Sequence, residues 1–129
     1  MSPQKYLKAL SIYFLSLLAF SCSKDEPSPA KSRDISFVVT GNFRGALSAT
    51  YVNASGGGSN ETIPSLPWNK DVTYASSVPS TGLTVGGTGG SVGQTIRVKV
   101  YAGGSLKSER AGVANSSGMV VVASPSYVF

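Results

Sequence analysis

The sequence predicts an all-β protein, an immunoglobulin-like β-sandwich of about seven or eight short antiparallel strands in residues 34–129. Three observations predict it. Apolar and polar residues alternate in short β-branched segments, and clusters of glycine, serine and asparagine separate these segments. No stretch of this region shows the 3.6-residue periodicity of an amphipathic helix. With 129 residues in the whole chain, one folded domain is expected.

The first half of the domain reads as five strands. Apolar side chains occupy every second position in the first two, and each ends in a cluster rich in glycine and asparagine. The third meets Pro67, which has no N–H group for a ladder and therefore belongs at a strand end or a sheet edge. The predicted strands cover residues 35–40, 47–52, about 60–66, 70–75 and 81–85.

The second half begins with a glycine-rich stretch. Residues 86–93 contain five glycines in eight positions and are predicted to be a loop or an irregular edge. The clearest strand follows at residues 95–102, with a fully apolar face and a face that carries Arg97 and Lys99. Residues 119–123 are apolar at every position, so a central strand is expected there.

The turn after residue 102 poses a choice of register. A two-residue Gly-Gly turn would place Arg97 opposite Arg110, whereas a three-residue turn that includes Ser105 places Lys99 opposite Glu109. Opposite charges directly across two strands stabilise the pair by about 0.2–1 kcal/mol, and like charges destabilise it. The sequence therefore predicts the three-residue turn.

The N-terminal segment has the organisation of a secretion signal. Residues 1–8 carry two lysines and no acid, and residues 9–20 are apolar apart from a few hydroxyl groups. This stretch is shorter than the roughly 20 apolar residues of a membrane-spanning helix. The residues up to Ser21 and Cys22 resemble the lipobox of Bacteroidetes-type bacterial lipoproteins. The resemblance implies a signal peptide of residues 1–21 and acylation of Cys22, the one cysteine of the chain.

Two alternatives remain at this end of the chain: an ordinary cleaved signal with a free cysteine, and an uncleaved membrane helix. Residues 22–33 are predicted to be the lipid anchor and a flexible tether, because their Ser, Lys, Asp, Glu, Pro and Ala side chains have little apolar surface to bury. The predicted location is the bacterial outer membrane, with the lipid-anchored domain in the periplasm or at the cell surface.

Composition excludes several classes of function. The formal net charge of +5 includes two lysines of the predicted signal, and the remaining charge is small and dispersed, which argues against a nucleic-acid partner. The chain has no histidine, so it holds neither a Ser-His-Asp triad nor a histidine metal site. A single cysteine excludes a disulfide within the chain. We expect no cofactor, no metal site and no enzymatic activity.

A few residues remain as candidates for a site. Trp68 is the sole tryptophan, and its two interpretations are a core plug and an aromatic platform for a sugar or lipid, with nearby tyrosines such as Tyr101. Arg97 and Lys99 are predicted to share a solvent face with Lys107, either as an ordinary charged face or as a patch for an acidic partner or lipid head group.

One weaker hypothesis is enzymatic. Glu61 and Asp71 flank the Leu-Pro-Trp sequence and would serve as an acid and base if the fold brought them together. Pairs of carboxylates on a sandwich are more often solvated strand ends, so catalysis is the least favoured of the hypotheses.

Four segments of the chain also resemble a known family. They are residues 35–41, 50–57, 66–70 and 96–101, with Leu-Pro-Trp the most specific. In order and approximate spacing they are similar to successive blocks of the MmpS family, small membrane-anchored proteins with an extracytoplasmic β-sandwich. Members of that family accompany RND-type transporters that export siderophores and lipids. The resemblance implies an accessory or interaction role beside an envelope transporter, and the alternative is a carbohydrate- or lipid-binding module that uses Trp68 and nearby tyrosines.

Overall fold

A computed structural model describes residues 31–129. The signal peptide, the acylated Cys22 and most of the tether that the sequence predicts lie outside the described residues. The described part contains strands and turns but no α-helix. No helix of residues 31–129 is therefore long and apolar enough to cross a membrane.

The structure has eight strands of four residues or more and two strands of two residues. They are β1 (Asp34–Gly41), β2 (Ala46–Val52), β3 (Gly58–Ile63), β4 (Trp68–Thr73), β5 (Ser80–Thr81), β6 (Leu83–Thr88), β7 (Thr95–Ala102), β8 (Ser105–Val113), β9 (Val120–Ala123) and β10 (Tyr127–Val128). The all-β prediction is confirmed, and the eight longer strands agree with the expected number.

Two four-stranded antiparallel sheets form the sandwich. The first sheet has the order β4-β1-β7-β8 and the second sheet has the order β3-β2-β6-β9. A small third sheet pairs β10 with β5. The consecutive strands β1 and β2 belong to different sheets, so the chain crosses from one layer to the other early. The predicted sandwich class is confirmed.

The inner faces of the two sheets make one apolar core. Alternate residues of β1 and β7 point inward, as the two-residue period of a β-strand requires. The rings of Phe37 in the first sheet and Tyr51 in the second lie 5.8 Å apart. The largest fully buried side chains are Phe37, Ile35, Leu83, Ile96, Val39, Val78, Val85, Val98 and Val100.

The glycine-rich stretch does not begin as a loop. Strand β6 continues through Gly86 and Gly87 to Thr88 and lies between β2 and β9, so the predicted loop or irregular edge over residues 86–93 is wrong at its start. A Cβ atom on Gly87 would lie 2.7 Å from side-chain atoms of both Leu47 and Phe43. Glycine is used here for close packing inside a strand rather than for a turn.

The hairpin between β7 and β8 combines a shorter turn with a bulge. Gly103 and Gly104 both have positive φ, at 57° and 83°, as a two-residue type I′ turn requires. The predicted three-residue turn is wrong, because Ala102 faces Ser105. The ladder then shifts by one residue between Val100 and Tyr101.

This shift restores the register that charge pairing favoured. Tyr101 pairs with Leu106 and Val100 pairs with Ser108, which leaves Lys107 as the extra residue of a β-bulge. From there on Lys99 lies opposite Glu109, as predicted.

Strand β9 is an edge strand, so its predicted central position is wrong. It pairs with β6 on one side only and ends the second sheet. Val120 and Val122 point into the core, whereas Val121 is 69% exposed on the outer face. Three consecutive valines therefore mark an apolar patch on the surface rather than a strand covered on both sides.

The N-terminal residues of the described chain pack against its C-terminal residues. Nη1 of Arg33 donates hydrogen bonds to the carbonyl oxygens of Ala75 and Val78, at 2.7 and 2.8 Å. Its guanidinium lies 4.5 Å from the ring centroid of Phe129. Nζ of Lys31 lies 5.5 Å from the ring centroid of Tyr127. Both chain ends of the described domain therefore meet at one end of the sandwich.

Candidate functional site

Three of the candidate contact residues lie in a row on the first sheet. Arg97, Lys99 and Tyr101 alternate with buried residues along β7 and point to the outer face of that sheet. Nη1 of Arg97 lies 2.5 Å from Oε1 of Glu109 on β8. This ion pair neutralises part of the basic patch that the sequence predicts.

Trp68 lies on the opposite side of the same sheet. It begins β4 opposite Val39, on the inner side, and its half-buried side chain packs against the core. Tyr101 instead pairs with Ser36 on the outer face. Trp68 and Tyr101 therefore do not form one aromatic surface.

Two further tyrosines are largely buried. Tyr51 and Tyr74 are 8% and 3% exposed. The hydroxyl of Tyr74 donates to the carbonyl oxygen of Val52 at 2.5 Å and accepts a hydrogen bond from the hydroxyl of Thr81 at 2.7 Å. Burial raises the pKa of Tyr74. These rings are part of the packed interior rather than a platform open to a sugar.

Glu61 and Asp71, the two carboxylates considered as an acid–base pair, lie in different surroundings. Asp71 lies on the outer face of β4 and accepts a hydrogen bond from the hydroxyl of Ser36 at 2.5 Å. Glu61 lies on the inner side of β3, opposite Ala49. Each carboxylate has its own partners, and the fold does not build an acid–base pair from them.

Glu61 instead belongs to a polar cluster at one open side of the sandwich, where the edge strands β3 and β4 face each other. The hydroxyl of Tyr51 donates to Oε2 of Glu61. Nζ of Lys70 lies 3.4 Å from the same oxygen. The side chains of Lys70 and Glu61 are 38% and 39% exposed, so water reaches both.

The cluster shifts the ionisation of all three groups. The hydrogen bond from Tyr51 is the main cause that lowers the pKa of Glu61, and the bond to Glu61 is the main cause that raises the pKa of Lys70. Burial, followed by the hydrogen bond to Glu61, raises the pKa of Tyr51. The ionised form of Glu61 is thus preferred in the folded state.

This preference predicts how stability depends on pH. An unfolded glutamate titrates at about pH 4.3, and the folded pKa of Glu61 lies lower, so its contribution to stability is complete above that pH and disappears as the pH falls through the folded pKa. We expect Glu61→Gln to lower the urea midpoint at pH 7, and we expect this difference from the wild type to become smaller as the pH falls below about 4.3.

Urea unfolding at a series of pH values measures this difference. Glu26→Gln is the matched control, since Glu26 lies in the predicted tether and its replacement should not change the pH dependence. If the urea midpoint of the wild type exceeds that of Glu61→Gln by as much at pH 3 as at pH 7, the charge of Glu61 is not what stabilises the cluster.

The concave regions near these residues are shallow and open. One of about 330 Å³ adjoins the polar cluster and is lined by Tyr51, Asn53, Lys70 and Val72 among others. A second of about 390 Å³ crosses the outer face of the second sheet, with Ser48 and Gly86 among its lining residues.

The outer face of the second sheet carries no charged residue among its strand positions. We call this surface the neutral face. Its outward-facing strand residues are Ala46, Ser48, Thr50, Val52, Gly58, Asn60, Thr62, Thr84, Gly86, Thr88, Val121 and Ala123. Val121 and the neighbouring Met119 are 69% and 46% exposed. The outer face of the first sheet, by contrast, carries Asp34, Asp71, Arg97, Lys99 and Glu109.

Sequence reasoning named neither the polar cluster nor the neutral face. A signal for the first was present in β4, where Lys70 occupies an inward position between Trp68 and Val72. A lysine at such a position indicates the edge of a sheet. In residues 31–129 no group of three His, Cys, Asp or Glu side chains is placed to hold a metal ion. The whole sequence matches no protein-family model and no characterised protein.

Proposed function

We propose that this chain is a lipid-anchored protein of the bacterial envelope, without enzymatic activity, whose sandwich acts as an accessory or interaction domain. The acyl group on Cys22 would hold it in the membrane, and its partner would be a membrane protein such as an envelope transporter, the role that the resemblance to the MmpS family implies. The observation that carries this proposal is the neutral face.

A surface without charges is suited to being covered by another protein. Burying an ionised side chain costs free energy unless a partner compensates it, and the centres of protein interfaces are accordingly depleted of charged residues. The neutral face has Val121 and Met119 exposed beside the small residues Ser48 and Gly86. Together they form a shallow apolar groove that a protruding side chain of the partner can fill.

The two sheets differ in the charge of their outer faces, so they are not equally suited to a partner. The outer face of the first sheet carries ions of both signs, among them the Arg97–Glu109 pair, and is suited to water. A partner with an uncharged surface is therefore favoured at the second sheet and disfavoured at the first. This asymmetry supports one docking side rather than a sandwich that is solvated all round.

The experiment is site-specific photo-crosslinking in the native host. A photoreactive residue replaces Thr84 on the neutral face, and Val121→Arg is introduced beside it. We expect an adduct with an integral membrane protein from the Thr84 probe, and a reduction of about tenfold or more with Val121→Arg, because the arginine would have to be desolvated at the contact.

The chain offers a matched control for this experiment. Val113 is 63% exposed, close to the 69% of Val121, and its strand partner Thr95 lies on the outer face of the first sheet. Val113→Arg should leave the adduct unchanged. An adduct that survives Val121→Arg, or one that forms equally from a probe at Thr95, would contradict the proposal.

The alternative function is a carbohydrate- or lipid-binding module. The half-buried state of Trp68 is the observation in its favour, because part of the indole remains accessible at the edge of the first sheet. Tyr101 lies on the other face of that sheet, so Trp68 would have to bind without it. A shift of the tryptophan fluorescence on adding an oligosaccharide or a lipid would favour this alternative.

A further inference from the structure

The bulge in β8 brings together two basic side chains that a regular strand would separate. Residues three positions apart on a strand point to opposite faces. Because Lys107 is the extra residue of the bulge, the alternation is interrupted between it and Ser108. Lys107, Ser108 and Arg110 consequently line one cavity. The sequence instead predicts Lys107 on the solvent face with Arg97 and Lys99, and the bulge is the reason for the difference.

The opposite wall of this cavity is the C-terminal segment of the chain. Pro125, Ser126 and Tyr127 face the side chains of β8 across a volume of about 160 Å³. We call this cavity the basic pocket. It contains two cationic side chains, two serines that can donate hydrogen bonds, and one tyrosine. No acidic residue is among its lining residues.

A third cation contacts one of the residues that line the basic pocket, and Glu109, the one acid of β8, faces away from the pocket. Nζ of Lys31 is 5.5 Å from the ring centroid of Tyr127. Glu109 points to the outer face of the first sheet and pairs with Arg97. Within residues 31–129 the ion pairs are Lys70–Glu61 and Arg97–Glu109, so the cations at the pocket are not neutralised by a described carboxylate.

We propose that the basic pocket binds a phosphate-class anion, either the phosphate of a lipid head group or a free phosphate group. A guanidinium presents a planar set of donors that matches phosphate oxygens, an ammonium adds a point charge, and serine hydroxyls complete the coordination. This combination of Arg110, Lys107 and Ser108 is what the pocket offers. Bulges recur next to binding sites because they redirect a side chain, as this one does for Lys107.

The position of the pocket places it near the membrane if Cys22 is acylated as proposed. Lys31 contacts Tyr127, which lines the pocket. The nine residues that follow Cys22 up to Lys31 span at most about 30 Å when fully extended. A phosphate in the head-group region is therefore within reach of the domain. Binding of the anion itself does not depend on the anchor, so the site and the proposed function are tested separately.

The experiment titrates the mature chain, purified from whole cells of the native host in neutral detergent so that it is recovered with or without an anchor, and follows the amide NMR signals of Ser108 and Ser126. The probes are inorganic phosphate, dihexanoyl phosphatidylglycerol, and dihexanoyl glycerol as the lipid without phosphate. We expect saturable shifts with at least one phosphate-bearing probe and none with dihexanoyl glycerol. Tighter binding of the phospholipid than of inorganic phosphate identifies a head group as the ligand, and equal binding identifies the phosphate group alone.

The test variant is Lys107→Gln with Arg110→Gln, which removes two charges from exposed side chains and keeps the first two methylene groups of each. We expect it to raise the dissociation constant for the phosphate-bearing probe by about tenfold or more. The matched control, Arg44→Gln with Lys99→Gln, removes the same charge away from the pocket and should change the constant by about twofold at most. The absence of saturable shifts with both phosphate-bearing probes, or equal weakening in the two variants, would overturn the proposal.

Discussion

Replacing Phe37 with alanine should lower the free energy of unfolding by about 3–5 kcal/mol. Phe37 is fully buried in the middle of β1, between its partners Lys70 on β4 and Val100 on β7. Its ring also meets that of Tyr51 across the sandwich. Truncation would remove the largest fully buried side chain and leave a cavity between the two sheets.

This loss is large compared with the whole free energy of unfolding of a typical domain, which is about 5–15 kcal/mol. Urea denaturation followed by circular dichroism measures it. Val38→Ala is the matched control, since Val38 is the next residue on β1 and points to the outer face, where it is only half-buried. We expect the control to cost about 1 kcal/mol or less. Equal costs at the two positions would contradict the assignment of the inner face.

Replacing Cys22 with serine should abolish acylation and release the chain from the membrane. The proposed anchor needs the cysteine thiol for acylation, and Cys22 is the one cysteine of the sequence. Stable anchoring takes more than one acyl chain, so loss of the thiol removes most of the affinity for the bilayer. We expect the wild type from the native host to lack residues 1–21, to carry additional acyl mass and to fractionate with membranes.

Intact-mass analysis and membrane fractionation of wild type and variant provide the measurement. Ser23→Ala is the control, because it changes the neighbouring residue and keeps the thiol; its mass should show the same acylation as the wild type. An unacylated wild type in the soluble fraction would contradict the anchor. The leading hypothesis would then become a secreted binding module, and the neutral face and the basic pocket would remain to be explained in that setting.

Much of the fold could be predicted because the information is local. Ile35, Phe37 and Val39 alternate with outward-facing residues over a single strand, and this two-residue period is visible without knowing which strands pair. The same pattern defines β7, whose bounds agree with the prediction at both ends. Burial on one face is a property of each strand by itself, so the sandwich class follows from the sequence.

The errors concern features that depend on distant parts of the chain. Gly87 looks like a loop residue until Leu47 and Phe43 are seen packed against it. Val121 has the apolar neighbours of a central strand, but β9 is the last strand of its sheet. Side chains more than 30 positions away explain Gly87, and the strand order of the sheet explains Val121; composition and periodicity reveal neither.

The candidate sites were less predictable than the fold for a related reason. The polar cluster takes Tyr51, Glu61 and Lys70 from three strands of two sheets. The basic pocket depends on the bulge at Lys107, which shifts the register by one residue after the two-residue turn. Charge pairing predicted that Lys99 lies opposite Glu109, but it did not predict that a two-residue turn and a bulge together produce this register. Turn and bulge together move Lys107 to the other side of β8.

Arg33 and the start of β1 are where tension from a membrane anchor would enter the domain. In a chain anchored through Cys22, a pull from the membrane reaches the guanidinium that holds the Ala75 and Val78 carbonyl oxygens and then the start of β1. β1 is flanked by β4 and β7, so it cannot be peeled away as an edge strand can. A partner on the neutral face would pull on the second sheet instead. Tension between membrane and partner would therefore cross the apolar core between the sheets, and the sandwich would act as a stiff coupling between the two.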